Sequence, residues 1–205
     1  MEIEMLKVFN EEYQSQGIAS RDEVHKKGLW HETFHCWLVS KNKDTYFIYL
    51  QLRSKTKKDF PNLLDITAAG HLLENETVRE GVREVEEELG INVAFKDLIS
   101  LGVMKDCLVT DEIIDHELTN VFLLMWNGEI KDFRLQEDEV SGIVKVDLDQ
   151  FIDLWSGKTD HIVVEGIDYK NNFIHSKVSL ENFVPHETSY IKNVLKGISN
   201  VLNHY

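Results

Sequence analysis

The chain has 205 residues, 42% of them hydrophobic, which is enough for a sizeable core and suits one domain. Its formal net charge of −14 disfavours non-specific attachment to nucleic acid or to an anionic membrane surface. No stretch approaches the roughly 18 apolar residues of a membrane helix, and the acidic start MEIEMLKVFNEEYQ does not read as a secretory signal, so a cytoplasmic protein is expected.

In chain order, Met5 to Phe9 reads as a strand with Gly17 to Ser20 as its hairpin partner. The charged run Arg21 to Lys27 reads as a loop or one helical turn leading into Gly28-Leu29-Trp30-His31. Thr33 to Ser40 and Thr45 to Arg53 are rich in β-branched and aromatic residues and form a second hairpin across the polar turn 41–44. Arg53-Ser54-Lys55-Thr56-Lys57-Lys58 is the one basic run, serving either as a solvated loop or as an anion clamp. Asp65 to Ala69 then forms a short strand. After the central helix, Leu98 to Val109 and Leu118 to Trp126 are long strands around an acidic turn, Asp111 to His116. Gly142 to Val146 is a strand, Asp147 to Trp155 a capped helix, and Glu187 to Leu202 a closing amphipathic helix. The segment from Asp160 to Phe173 reads as a loop that shapes the pocket. Elements mix without βαβ alternation, which favours an α+β fold. Cys36 and Cys107 follow no ligand spacing and are expected to be reduced thiols in strands.

The chemistry concentrates between Ala68 and Ile91. Thr77 and Glu80 make a capping-box pattern for a helix start, Gly90 suits a left-handed cap, and Val78, Val82, Val85 and Leu89 form one apolar stripe. Glu84, Glu87 and Glu88, at i, i+3 and i+4, project from one turn and repel one another. A hard divalent cation makes use of such a group, because Mg²⁺ is held by a few carboxylates together with substrate phosphates. A solvated acidic face with Arg83 paired to Glu87 is the plainer reading of the same residues.

Here the chain resembles the Nudix hydrolase family, whose box reads G-x5-E-x7-R-E-U-x-E-E-x-G-U with U aliphatic. Gly70, Glu76, Arg83-Glu84-Val85, Glu87-Glu88 and Gly90-Ile91 fill the pattern, with six residues between Glu76 and Arg83 where the family has seven. The resemblance implies a mixed sheet sandwiched between helices. It also implies Mg²⁺ or Mn²⁺ as cofactor and a metal site of Gly70, Glu84, Glu87, Glu88 and the distal Glu117, with Glu87, Glu117 and Arg83 as the catalytic set.

From about Met5 to Asn172 the chain is further similar to the branch containing isopentenyl diphosphate isomerase, through R-x-x-V-H-x-x-G-L-W-H (Arg21 to His31), Q-L-R-S-x-x-K and D-I-x-x-A-G-H. That resemblance implies a second metal or loop site at His25, His31, His71 and Asp115, and diphosphate contacts from Arg53 and Lys57. Asp115 and Glu117 alternate along a strand and share a face; His25 and His31 equally suit loop-bridging roles. The isomerase's cysteine falls at Ala69. Alkene isomerisation needs an acid and a base on opposite faces, whereas diphosphate hydrolysis needs metal and a carboxylate to orient water. Metal-dependent cleavage of a nucleoside-diphosphate-like or other X-linked diphosphate is therefore the leading expectation. Isomerase-like activity and a silent nucleotide-binding regulator are the alternatives. The expected partner is a small diphosphate, and a homodimer is left open.

Overall fold

The computed structural model describes residues 4–110 and 113–204. Its first hairpin pairs β1 (Met5–Phe9) with β2 (Ser15–Ser20), and the chain turns directly into α1 (Arg21–Lys27). Of the two readings of this run, the loop is corrected and the helical turn is longer than expected: Ser20 caps the helix, Asp22 and Glu23 sit in the first turn, Lys26 and Lys27 in the last, and Gly28 closes it. These end signals stabilise a two-turn helix that apolar periodicity alone does not reveal.

The long strand β3 (Trp30–Asn42) is the axis of the molecule. It pairs antiparallel with β4 (Thr45–Arg53) and with β6 (Ala68–His71), while β5 (Leu64–Asp65) pairs with β4. After β6 a short 3₁₀ turn over Glu80–Val82 runs into α2 (Arg83–Leu89). The helix therefore starts later than the capping pattern predicted. The Thr77 amide and hydroxyl both donate to Glu80, forming half of the box only. Gly90, at φ 65°, ends the helix as expected.

The antiparallel pair β7 (Ile99–Val109) and β8 (Ile114–Met125) follows, with β8 lying parallel to β3 along its length. The predicted acidic turn is shorter than read, because Asp115 and His116 belong to β8; Asp111 lies outside the described residues. Then come β9 (Val140–Asp147), α3 (Leu148–Trp155) with Asp147 accepting from the Gln150 amide, and a hairpin of β10 (Ile162–Asp168) and β11 (Phe173–Val178). That hairpin replaces the predicted loop at 160–173. It extends the sheet edge beyond β9, in the order β11-β10-β9-β4-β3-β1-β2.

The closing helix α4 (Thr188–Leu202) packs with α3 on one face of the sheet, around Trp37, Val39, Phe151, Leu154, Tyr190 and Val194. On the opposite face α2 packs Val85 and Leu89 against Phe34, Leu38 and Ala68, with Val78 and Val82 at the margin. Strand alternation explains the split, since odd residues of β3 face α4 and even ones face α2. The result is the expected α+β sandwich. Cys36 is a buried thiol in β3 and Cys107 a half-buried one in β7. Among the described residues no helix is long and apolar enough to cross a membrane.

Candidate active site

A cavity of about 470 Å³ opens where α1, β6, α2, β8 and the segment leading into α4 converge. Its α2 wall carries the acidic turn. Glu84 and Glu88 are buried and Glu87 is half exposed, so the plain solvated-face reading fails for two of the three. Burial, followed by repulsion from neighbouring acids, pushes the Glu84 carboxyl up to about 7, although the Arg83 guanidinium opposes the rise. The same causes push Glu88 well above the usual carboxylate range. Glu88 Oε2 accepts from the Ala69 amide at 3.0 Å and from Gln51 at 3.2 Å. Gly70 is required by close approach: any Cβ there would overlap the Glu84 carboxylate.

Arg83 organises this wall. Its Nε and Nη2 grip both oxygens of Glu76 at 2.6 and 3.0 Å, Nη1 reaches Glu84 at 2.7 Å and Glu87 at 2.9 Å, and Nη2 donates to the His71 carbonyl. The short loop thus leaves Glu76 as the anchor of Arg83, with its other contact to the Leu73 amide. A bidentate guanidinium-carboxylate pair is the strong form of such a contact.

His25 on α1, His71 on β6 and Asp115 on β8 line the same cavity, and with His31 on β3, buried behind them, they bring together four residues from four elements. One potential ligand atom from each lies within 4.8 Å of all the others. The Nε2 atoms of the three histidines and Asp115 Oδ1 are buried without hydrogen bonds. Burial lowers all three imidazoles, His25 to about 4 and His71 well below the ordinary histidine range, so each presents a lone pair. His31 Nδ1 faces the Leu29 carbonyl at 3.1 Å, which places its proton there and leaves Nε2 free. Burial and Glu117 raise the Asp115 carboxyl to about 8. Four converging, unsatisfied donors of this kind fit a divalent metal ion better than they fit a packed core.

Arg53 and Lys57 both line the cavity. Each already holds a protein group: Arg53 binds Asp65 at 2.8 Å and the Asp59 carbonyl at 2.8 Å, and Lys57 pairs with Glu139. Arg21, from α1, lines the same rim and had no assigned role in the sequence. The Asp160–Phe173 segment, expected to shape this pocket, contributes none of its described residues. Trp30 stacks on His116 outside the cavity, Phe34 and Tyr49 are core, and Phe60 is a cavity wall.

Sequence reasoning missed the buried floor. His35 lies between Glu117, at 3.2 Å, and the Tyr190 hydroxyl, at 2.7 Å. His186 bridges Asp65, at 2.8 Å, and Asp106, whose other oxygen accepts from the Glu187 amide. The only sequence signal for His35 was a polar residue at a core-facing position of a strand. Glu117 is buried; burial opposes its charge, but His35 outweighs this and keeps the carboxyl below its ordinary range.

Residues 29–164 match the NUDIX domain. An uncharacterised Nudix hydrolase of Clostridium acetobutylicum is 37% identical over 202 residues, covering 97% of this chain and 98% of its own. An isopentenyl-diphosphate Delta-isomerase of Aliivibrio fischeri is 29% identical over 143 residues, covering 68% of this chain and 78% of its own. A crystal structure of a Deinococcus radiodurans protein superposes with a TM-score of 0.57 at 18% identity, over 75% of this chain and 90% of that one, which bears on the fold alone. The chain belongs to the Nudix family. Within it the chain is a Nudix-type pyrophosphohydrolase, in a branch whose relatives include isopentenyl-diphosphate isomerases.

Proposed function

We propose that this cavity hydrolyses the diphosphate linkage of a small nucleoside-diphosphate-like or other X-linked molecule, using Mg²⁺ or Mn²⁺. The observation that carries the reading is the meeting of two donor sets in one cavity. One is the carboxylate turn of buried Glu84 and Glu88 with half-exposed Glu87, Glu84 lying under the Gly70 backbone, and the other is the unsatisfied quartet His25, His31, His71, Asp115. The all-oxygen set suits a hard ion such as Mg²⁺ or Mn²⁺, and the imidazole-rich set favours a later first-row divalent ion. A divalent ion, when bound, offsets phosphate charge and acidifies water.

The protein's own groups divide the remaining work. Arg53, Lys57 and Arg21 supply positive charge at the rim for the diphosphate. Arg83 fixes the direction of Glu84 and Glu87. Glu117, with Oε2 buried and lacking a well-formed hydrogen bond, orients a water toward phosphorus and receives its proton. The water oxygen bonds to phosphorus, the bridging P–O bond breaks, and its electron pair leaves with the departing phosphate fragment.

The test is a metal-supplemented panel of nucleoside diphosphates and triphosphates, dinucleotide cofactors, thiamine diphosphates and prenyl diphosphates. Phosphate or monophosphate release is expected, abolished by a chelator and reduced by about 100-fold or more in Glu87→Gln. Release from no compound, with Glu87→Gln indistinguishable from the parent, overturns the hydrolase reading. The quartet also favours a second reading, prenyl diphosphate isomerisation. Ala69 provides no thiol for it, and failure to exchange solvent deuterium into isopentenyl diphosphate removes it.

A further inference from the structure

His35 is 2% exposed on the α4 side of β3 and lines the cavity. In the sheet register it lies directly opposite Ala69 of β6. Its Nε2 faces Glu117 Oε2 at 3.2 Å, and that oxygen is buried with no other polar partner taking up its accepting capacity among the described residues. Its Nδ1 is 2.7 Å from the hydroxyl of Tyr190, a fully buried residue in the first turn of α4.

The position of the ring proton follows from these partners. The Tyr190 oxygen accepts the Trp37 indole N–H at 3.4 Å, and among the described residues the acceptor paired with its own O–H is His35 Nδ1, at 2.7 Å. Burial keeps the phenol protonated by pushing its pKa well above the ordinary value. Nδ1 is therefore the acceptor, and the ring N–H sits on Nε2, directed at Glu117. An apolar residue would fill this core-facing position at lower cost than a buried imidazole.

We propose that His35 is a positioning residue for Glu117, with Tyr190 locking the tautomer that directs Nε2–H at that carboxylate. The proposal deepens the hydrolase reading and rests on its assignment of Glu117 to the attacking water. An orienting partner behind a working carboxylate contributes roughly 10- to 100-fold to activity.

Two measurements test it. Nitrogen NMR of the ¹⁵N-histidine-labelled, chelator-treated protein needs no substrate. It is expected to show His35 protonated on Nε2, with Tyr190→Phe mixing the tautomers; a proton on Nδ1 in the parent overturns the proposal. The second uses the substrate found in the panel at saturating Mg²⁺. His35→Ala is expected to lower kcat by about 10- to 100-fold with KM within about twofold, and His35→Gln to recover part of the loss. In a Glu117→Gln background His35→Ala should cost nothing further. Unchanged kcat in His35→Ala, or losses that multiply in the double variant, overturns the proposal while leaving the hydrolase reading intact. The latter fails separately, through Glu87→Gln. Thermal unfolding of each variant identifies any loss that is one of folding.

Discussion

His186 sits between two buried carboxylates, and the pH dependence of stability should run through it. Burial disfavours its charge, but the hydrogen bonds it donates to Asp106 and Asp65 outweigh that and raise the imidazole to about 10. Its contribution to folding is complete below about pH 6.5, where the unfolded chain is also protonated, and is lost as pH rises toward 10. Asp65 runs the opposite way. Burial opposes its charge, His186 and Arg53 prevail, and its carboxyl is held below the ordinary range, so its contribution is complete above about pH 4 and lost on acidification. His186→Leu removes the cation shared by both carboxylates, leaving Asp65 with Arg53 and Asp106 with only the Glu187 amide, and is expected to cost about 3–5 kcal/mol at pH 6. It should also flatten the decline in stability between pH 6.5 and 9.5. Urea unfolding of parent and variant across that range checks both statements, and parallel pH slopes would refute the assignment of charge to His186.

Among the elements, β6 joins the two halves of the site. Its alternation points Gly70 at Glu84 and His71 at the other histidines, so one four-residue strand sets the spacing between both donor sets. Gly70→Ala must displace the Glu84 carboxylate, the end of a flexible side chain, from under the strand. The expected result is roughly a 100-fold loss of turnover with a thermal midpoint lowered by only a few degrees. Turnover near the parent's would show that Glu84 has latitude there. How far each element was legible follows from where its signal lies. The box helix is written in contiguous residues, with its cap, stripe and acids all local. Strand β10 alternates buried Ile162 and Val164 with exposed Val163 and Glu165, but Val163 and Gly166 blur the apolar pattern and the segment reads as loop. The quartet of three histidines and Asp115 spans four elements and no spacing predicts it; resemblance alone brought those positions together. His35 and Tyr190 are 155 residues apart, so neither carries a signal until the sheet and α4 are assembled.

For the whole molecule, an acidic chain that buries Glu84, Glu88 and Glu117, and most of Asp115, around one cavity has folded against its own charge, and bound cations are the natural counterweight. Anything that binds the folded state alone stabilises it by mass action, about 2.7 kcal/mol at a hundredfold excess over Kd. Mg²⁺ or Mn²⁺ should therefore raise the thermal midpoint in a concentration-dependent way, and a chelator should reverse the rise. Glu88→Gln separates the carboxylate's effect on folding from its effect on metal. The amide keeps a carbonyl oxygen for the Ala69 amide but carries no charge into the buried turn, where burial and Glu84 both oppose one. The metal-free variant should melt no lower than the metal-free parent, and the Mg²⁺-dependent increment should shrink or vanish. A full increment in Glu88→Gln would place the ion elsewhere, and a large drop in the metal-free midpoint would mean that the carboxylate is held by protein contacts strong enough to need no cation. Paired thermal scans at fixed pH, with chelator and with Mg²⁺, distinguish these outcomes without knowledge of the substrate.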